Sequence, residues 1–78
     1  MKLMACVIYD APFGAEPGHE VALFEEEFGA QILKEDLENE GFQASVSPGK
    51  ESRRRFWYLK TNADFDSLWG ILGGYFEA

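Results

Sequence analysis

One cysteine and one histidine in a chain of 78 residues remove two ways of stabilising a small protein. Cys6 has no second thiol for an internal disulfide, and Cys6 with His19 falls short of the four ligands of a structural zinc site. Prolines are confined to positions 12, 17 and 48, so most of the chain is free to form regular structure. Basic residues are also scarce: seven Lys and Arg face fourteen Asp and Glu, giving a net charge of −7. Such a field repels nucleic acid and attracts basic surfaces. The longest apolar stretch, Met1–Tyr9, is about half the length of a membrane span and has no cleavage pattern, so a cytoplasmic strand is expected and no membrane partner. No motif for a cofactor or metal is present, and none is expected.

What remains is rich in large apolar side chains. The hydrophobic share is 46%, with seven Phe, three Tyr and two Trp, which excludes a disordered chain. The length allows one domain, 1–78, of a size that buries only about 60% of its unfolded surface. The charge is unevenly placed. Residues 1–50 hold ten carboxylates against three lysines, whereas 51–78 hold four charges of each sign.

Lys2–Tyr9 predicts a strand buried on both faces and central in its sheet. Asp10–Gly18 contains two prolines and two glycines and predicts an irregular loop. Gly18–Glu40 favours helix, with Gly41 where a left-handed cap belongs. Its apolar residues form two stripes: Val21, Phe24, Phe28 and Ile32 on one side, Leu23, Ala30, Leu33 and Leu37 on the other. A single straight helix cannot bury both against one sheet. A break at Gly29 is the preferred explanation, against an intact helix whose second face meets a partner. A strand at Glu20–Phe28 is a third reading, opposed by its three successive glutamates, Glu25–Glu27.

Phe42–Ser47 alternates apolar and polar residues as a half-buried strand does, and Pro48–Ser52 reads as a hairpin turn. Arg53–Lys60 is the predicted return strand, with Trp57 and Leu59 on one face and Phe56 and Tyr58 on the other. Asp64 is a plausible N-cap for a helix carrying Phe65, Leu68, Trp69, Leu72 and Phe76. The expected fold is therefore α+β: a small two-layer β-α-β-β-α domain, its three-stranded sheet covered on one face by two helical segments. The other face, with Phe56, Tyr58 and alternate residues of the first strand, would stay open.

Function is less constrained. Asp10 at the end of the first strand, with His19 and Glu20 after the loop, suggests an acid-base pair, but no nucleophile accompanies it. Cys6 within an apolar strand reads as an inert core thiol. Arg53–Arg55 followed by Phe56–Tyr58 offers cations and rings, yet strand alternation would send Arg54 away from its neighbours. Pairing with the acidic helix is the simpler use of these arginines, and direct nucleic-acid binding is not expected.

The acidic segment carries more. Glu25, Glu26, Glu27, Glu35 and Asp36 present carboxylates in the manner of a run of phosphates, with Phe24 and Phe28 as aromatic anchors. Charge would speed encounter with a basic partner and buried rings would hold it. The expected function is a non-enzymatic inhibitor that occupies the nucleic-acid-binding surface of another protein. A solvated, solubilising acidic face, a homodimer or obligate subunit, and a small enzyme using Asp10 and His19 are the alternatives.

In element order, length and acidity the chain is similar to the DNA-damage-inducible DinI family, whose acidic helix implies competition with DNA for a recombinase. In this chain the acids concentrate in the first helical segment, not the last, and no residue is carried over. In size and charge it also resembles small acidic phage proteins that block host nucleases, anti-CRISPR proteins among them.

Overall fold

A computed structural model describes residues 6–24 and 27–73. The elements run β1 (Cys6–Asp10), β2 (His19–Phe24), α1 (Glu27–Asn39), β3 (Ala44–Pro48), β4 (Phe56–Thr61) and α2 (Phe65–Leu72), with one turn of 3₁₀ helix at Glu51–Arg53. The four strands form one antiparallel sheet in the order β1-β2-β4-β3. Since β4 is antiparallel to both neighbours, β2 and β3 run parallel, and β2-α1-β3 is a split β-α-β unit with β4 inserted. The fold is α+β, with four strands where three were expected.

The additional strand is His19–Phe24, which the sequence reading placed in the first helix. Here the chain alternates, so Val21 and Leu23 enter the core while Glu20 and Ala22 take the other side of the sheet. The two apolar stripes at positions 21–37 thus belong to two elements. Ala30, Leu33 and Leu37 are the true buried stripe of α1, and Gly29 is buried within the helix and does not break it. Phe28 is left 76% exposed, and Ile32 is half-buried against the core. Of the three successive glutamates that argued against a strand, Glu27 belongs to α1, and Glu25 and Glu26 lie outside the described residues.

Gly41 ends α1 as anticipated. Its φ of 94° is the left-handed conformation that glycine adopts without a Cβ clash. Its N–H donates to Glu38 and that of Phe42 to Leu37, both at 3.0 Å, forming a Schellman cap.

The helices share one face of the sheet, where Val21, Leu23 and Leu59 meet Ala30, Leu33, Leu37, Leu68 and Leu72 with essentially no exposure. Cys6 and Ile8 lean on the edge of this core. Consequently β1 is an outer strand with one buried face, not a central one: Val7 and Tyr9 point to the open side. Residues 2–5 of the expected strand lie outside the described residues. The open face also carries Ala22 and Tyr58, as the Val7↔Ala22 and Ala22↔Tyr58 pairings require. Phe56 joins it, 6.2 Å from Tyr58 between ring centroids.

The three arginines do not alternate along a strand. Arg53 closes the 3₁₀ turn, and β4 begins only at Phe56. Arg53 Nη1 donates to the Tyr58 hydroxyl at 3.4 Å, so it turns toward the open sheet face and not toward α1.

Asp64 caps α2, accepting from Ser67 N–H at 3.0 Å and from Ser67 Oγ at 2.7 Å. These bonds hold the carboxyl below its ordinary range, the side-chain bond contributing most. A carboxylate whose pKa is lower in the folded state stabilises above its unfolded pKa, and that stabilisation is lost as pH falls through the folded value. Asp64→Ala should therefore lower the melting temperature at neutral pH, and the gap to the parent should close on acidification. Thermal unfolding followed by circular dichroism across the acid range checks this; a gap independent of pH would assign the loss to something other than the cap.

Candidate functional site

Two regions bear on function. The first is the outer face of α1. Glu27 opens the helix and is exposed, as are Phe28 and Glu35, while Asp36 is half-buried. Phe28 and Glu35 are seven residues apart and so lie on one side, two turns from each other. The helix has no basic residue in its last turn, and Lys34 is held by Glu38 at 3.2 Å. Phe24 is the last residue of β2, paired with Phe56 through the backbone, and therefore does not share a helical stripe with Phe28. Glu25 and Glu26 lie outside the described residues. Of the expected contact set, then, Glu27, Phe28 and Glu35 are brought to one exposed helix.

The second region was only partly visible in the sequence. The β1-β2 hairpin, the end of β4 and the start of α2 enclose a cleft of about 610 Å³. Its walls are Ala11, Pro12, Pro17, Ala63 and Phe65, and its polar members are Asp10, Glu16, His19, Asn62 and Asp64. Gly18 makes this geometry possible: a Cβ there would lie 2.2 Å from the Thr61 carbonyl oxygen, so no larger residue fits where the hairpin crosses β4. Thr61 is buried with its hydroxyl satisfied, donating to the Gln43 carbonyl at 2.7 Å and accepting from Ala63 N–H at 3.1 Å. This fixes the backbone that bears Ala63.

Asp10 and His19 do converge, because they are paired residues of β1 and β2. His19 Nε2 lies 3.1 Å from Asp10 Oδ1, and Nδ1 lies 2.9 Å from the Ala63 carbonyl oxygen. A carbonyl only accepts, so Nδ1 carries a proton and donates. With both nitrogens engaged, the ring has none left to take a proton from a substrate, and no Ser, Thr, Cys or Lys lines the cleft. In this arrangement the pair ties the hairpin to the strand leading into α2. Asn62 adds a second tie, donating to Glu16 at 3.3 Å and accepting from Gln43 N–H at 2.9 Å.

Three rings stand in a row beside the cleft. His19 and Phe65 are 5.9 Å apart, and Phe65 and Trp69 stack at 6.2 Å with 6° between their planes. Phe65 and Trp69 keep 49% and 52% of their surface exposed. The sequence reading put both in one broad apolar stripe with Leu68, Leu72 and Phe76, the last of which lies outside the described residues. The core takes only Leu68 and Leu72, with Ile71 against its edge, since an eight-residue helix has room for one narrow seam.

Among the described residues no group of three or more His, Cys, Asp or Glu side chains is placed to hold a metal ion, and no helix is long and apolar enough to cross a membrane. Burial pushes the Cys6 thiol up, which disfavours its thiolate. No protein-family model, curated protein or solved structure matches the chain.

If His19 ties two segments together through the Ala63 carbonyl while Asp10 adds only an exposed charge, their substitutions should differ. The His19 side chain is 13% exposed and that of Asp10 98%. His19→Ala should cost about 1–2 kcal/mol in urea unfolding, the loss of a partly buried hydrogen bond and ring packing. Asp10→Asn should cost less than about 0.5 kcal/mol. Equal losses would mean that the ion pair, and not the carbonyl bond, carries the tie.

Proposed function

We propose that this chain is a non-enzymatic acidic protein that binds a basic surface on another protein, one that ordinarily grips a nucleic-acid backbone, and so inhibits that protein. The observation that supports this most is Phe28. A phenylalanine with three-quarters of its surface in water, on a helix whose opposite side buries Ala30, Leu33 and Leu37, has no role in the core. It is flanked by Glu27 and faces the same way as Glu35. An aromatic anchor ringed by carboxylates suits a partner whose cations surround an apolar spot: the charges steer the encounter and the ring contributes to residence time. The net charge of −7 extends that steering over the whole molecule.

A second reading rests on a separate observation. Val7, Tyr9, Phe56 and Tyr58 leave one sheet face both apolar and open, which is how a subunit of a homodimer or an obligate complex presents itself. The mass in solution distinguishes the two. A monomer at micromolar concentration leaves the sheet face unused by a second copy; a tight dimer assigns that face.

The test of the first reading is capture on the immobilised protein from lysate of the source organism, at low salt and at about 0.5 M salt, where the screening length falls to a few ångströms. A nucleic-acid-handling protein should be retained at low salt and lost at high salt. With that protein in hand, Glu27→Lys with Glu35→Lys should slow association and flatten its salt dependence. Phe28→Ala should raise Kd about 30-fold, or about 2 kcal/mol, mainly through faster dissociation. Unchanged kinetics in both variants would remove α1 from the contact.

A further inference from the structure

The cleft beside α2 has a composition of its own. Its walls are apolar and one of them is aromatic, while each of its ionisable side chains apart from His19 is a carboxylate: Asp10, Glu16 and Asp64. No lysine or arginine lines it. The carboxylates alone would be a solvated rim. A cavity between them, walled by the half-exposed ring of Phe65, against which Trp69 stacks outside the lining, makes a receptacle.

We infer that this cleft receives an arginine side chain of the protein partner. The inference rests on the reading of the chain as a binder of basic surfaces and adds a second contact to it, distinct from α1. Three properties of the guanidinium match the geometry. It is planar and weakly hydrated, so it lies flat on an aromatic face, and the Phe65 ring, which lines the cleft, keeps 49% of its surface exposed. Its N–H groups fan outward in that plane, where carboxylates on the rim accept them in pairs. Its aliphatic stem is apolar, as are Pro12, Pro17 and Ala63. An ammonium group, compact and strongly hydrated, uses the carboxylates but gains less from the flat wall.

The carboxylates have capacity to spare. Asp10 is almost fully exposed while engaged with His19, Glu16 uses Oε1 toward Asn62, and Asp64, itself exposed, accepts chiefly from Ser67. An ionised carboxyl offers about four lone-pair sites, so each retains room for a guanidinium N–H. The ties through His19 and Asn62 already hold the hairpin against the strand end, so the site is formed before the ligand arrives.

The experiment is a titration of the whole protein, isotope-labelled, with N-acetyl-arginine amide, followed through backbone amide shifts. The neutral isostere N-acetyl-citrulline amide is the control. Saturable shifts centred on His19, Asn62, Asp64 and Phe65 are expected with the arginine compound and not with citrulline. Asp10→Asn combined with Glu16→Gln, two exposed positions whose change leaves the core intact, should weaken the arginine response at least 5-fold. Phe65→Leu should weaken it by a similar factor while the shift pattern elsewhere stays that of the folded protein. Equal responses to both compounds would overturn the role of charge. Shifts confined to Glu27, Phe28 and Glu35 would overturn the cleft while leaving the α1 reading intact, and absence of any shift would overturn the cleft as well. Local shifts at the cleft in a protein that captures no basic partner would instead uphold the cleft and remove the proposed function.

Discussion

Six consecutive residue pairs join β2 to β4, from His19↔Thr61 to Phe24↔Phe56, and most of the molecule hangs on this ladder. Its alternation puts Val21, Leu23 and Leu59 beneath the helices and Ala22, Tyr58 and Phe56 on the open face. One end brings His19 into the lining of the cleft, beside the Asn62–Phe65 segment that follows Thr61; the other ends at Phe24. A slip of one residue would turn every one of these side chains to the wrong layer. Gly18 guards the register, because only glycine passes the Thr61 carbonyl at the point where the hairpin enters the ladder.

Charge and packing are separated in this arrangement. The carboxylates of α1 lie outside its buried stripe of Ala30, Leu33 and Leu37, with Glu35 opposite it and Asp36 half-buried at its flank, and Asp10, Glu16 and Asp64 line a cleft at the far end of the ladder. None of them is in the core, so their mutual repulsion costs little in high dielectric and remains available for long-range attraction. The arginines are segregated to the β3-β4 connection, where Arg53 reaches the Tyr58 hydroxyl. That bond, and the field of Tyr58, raise the Arg53 guanidinium further above its already high range.

Local chemistry made much of this legible in advance. The Asp64 cap, the Gly41 cap, the hairpin of β3 and β4, the two faces of β4 and the open sheet face follow from residue types at fixed spacing. The error came from one window. Val21 and Leu23 alternate as a strand, but the next residues alternate too briefly and the helix beyond them is long, so a helical period read over 18–40 pooled two elements into two false stripes. The cue was the doubled stripe itself, since a helix with apolar residues on opposite sides is two elements more readily than one. The strand count, the edge position of β1 and the fate of Gly29 all follow from that single misplacement. The convergence of Asp10 with His19 was hidden for a related reason: they face each other only if β2 exists. The exposure of Phe65 and Trp69 could not be read from spacing, because periodicity marks an apolar stripe without saying how wide a stripe the core accepts.

In the proposed function the protein takes the place of nucleic acid on a basic surface. This is tested most directly by fluorescence anisotropy of a labelled duplex bound to the captured partner while unlabelled protein is added. Displacement of the duplex with one-to-one stoichiometry is expected, shifting to higher concentrations as salt is raised. A ternary complex, in which the partner holds both the duplex and this protein, would contradict it and move the contact to a surface that nucleic acid does not use.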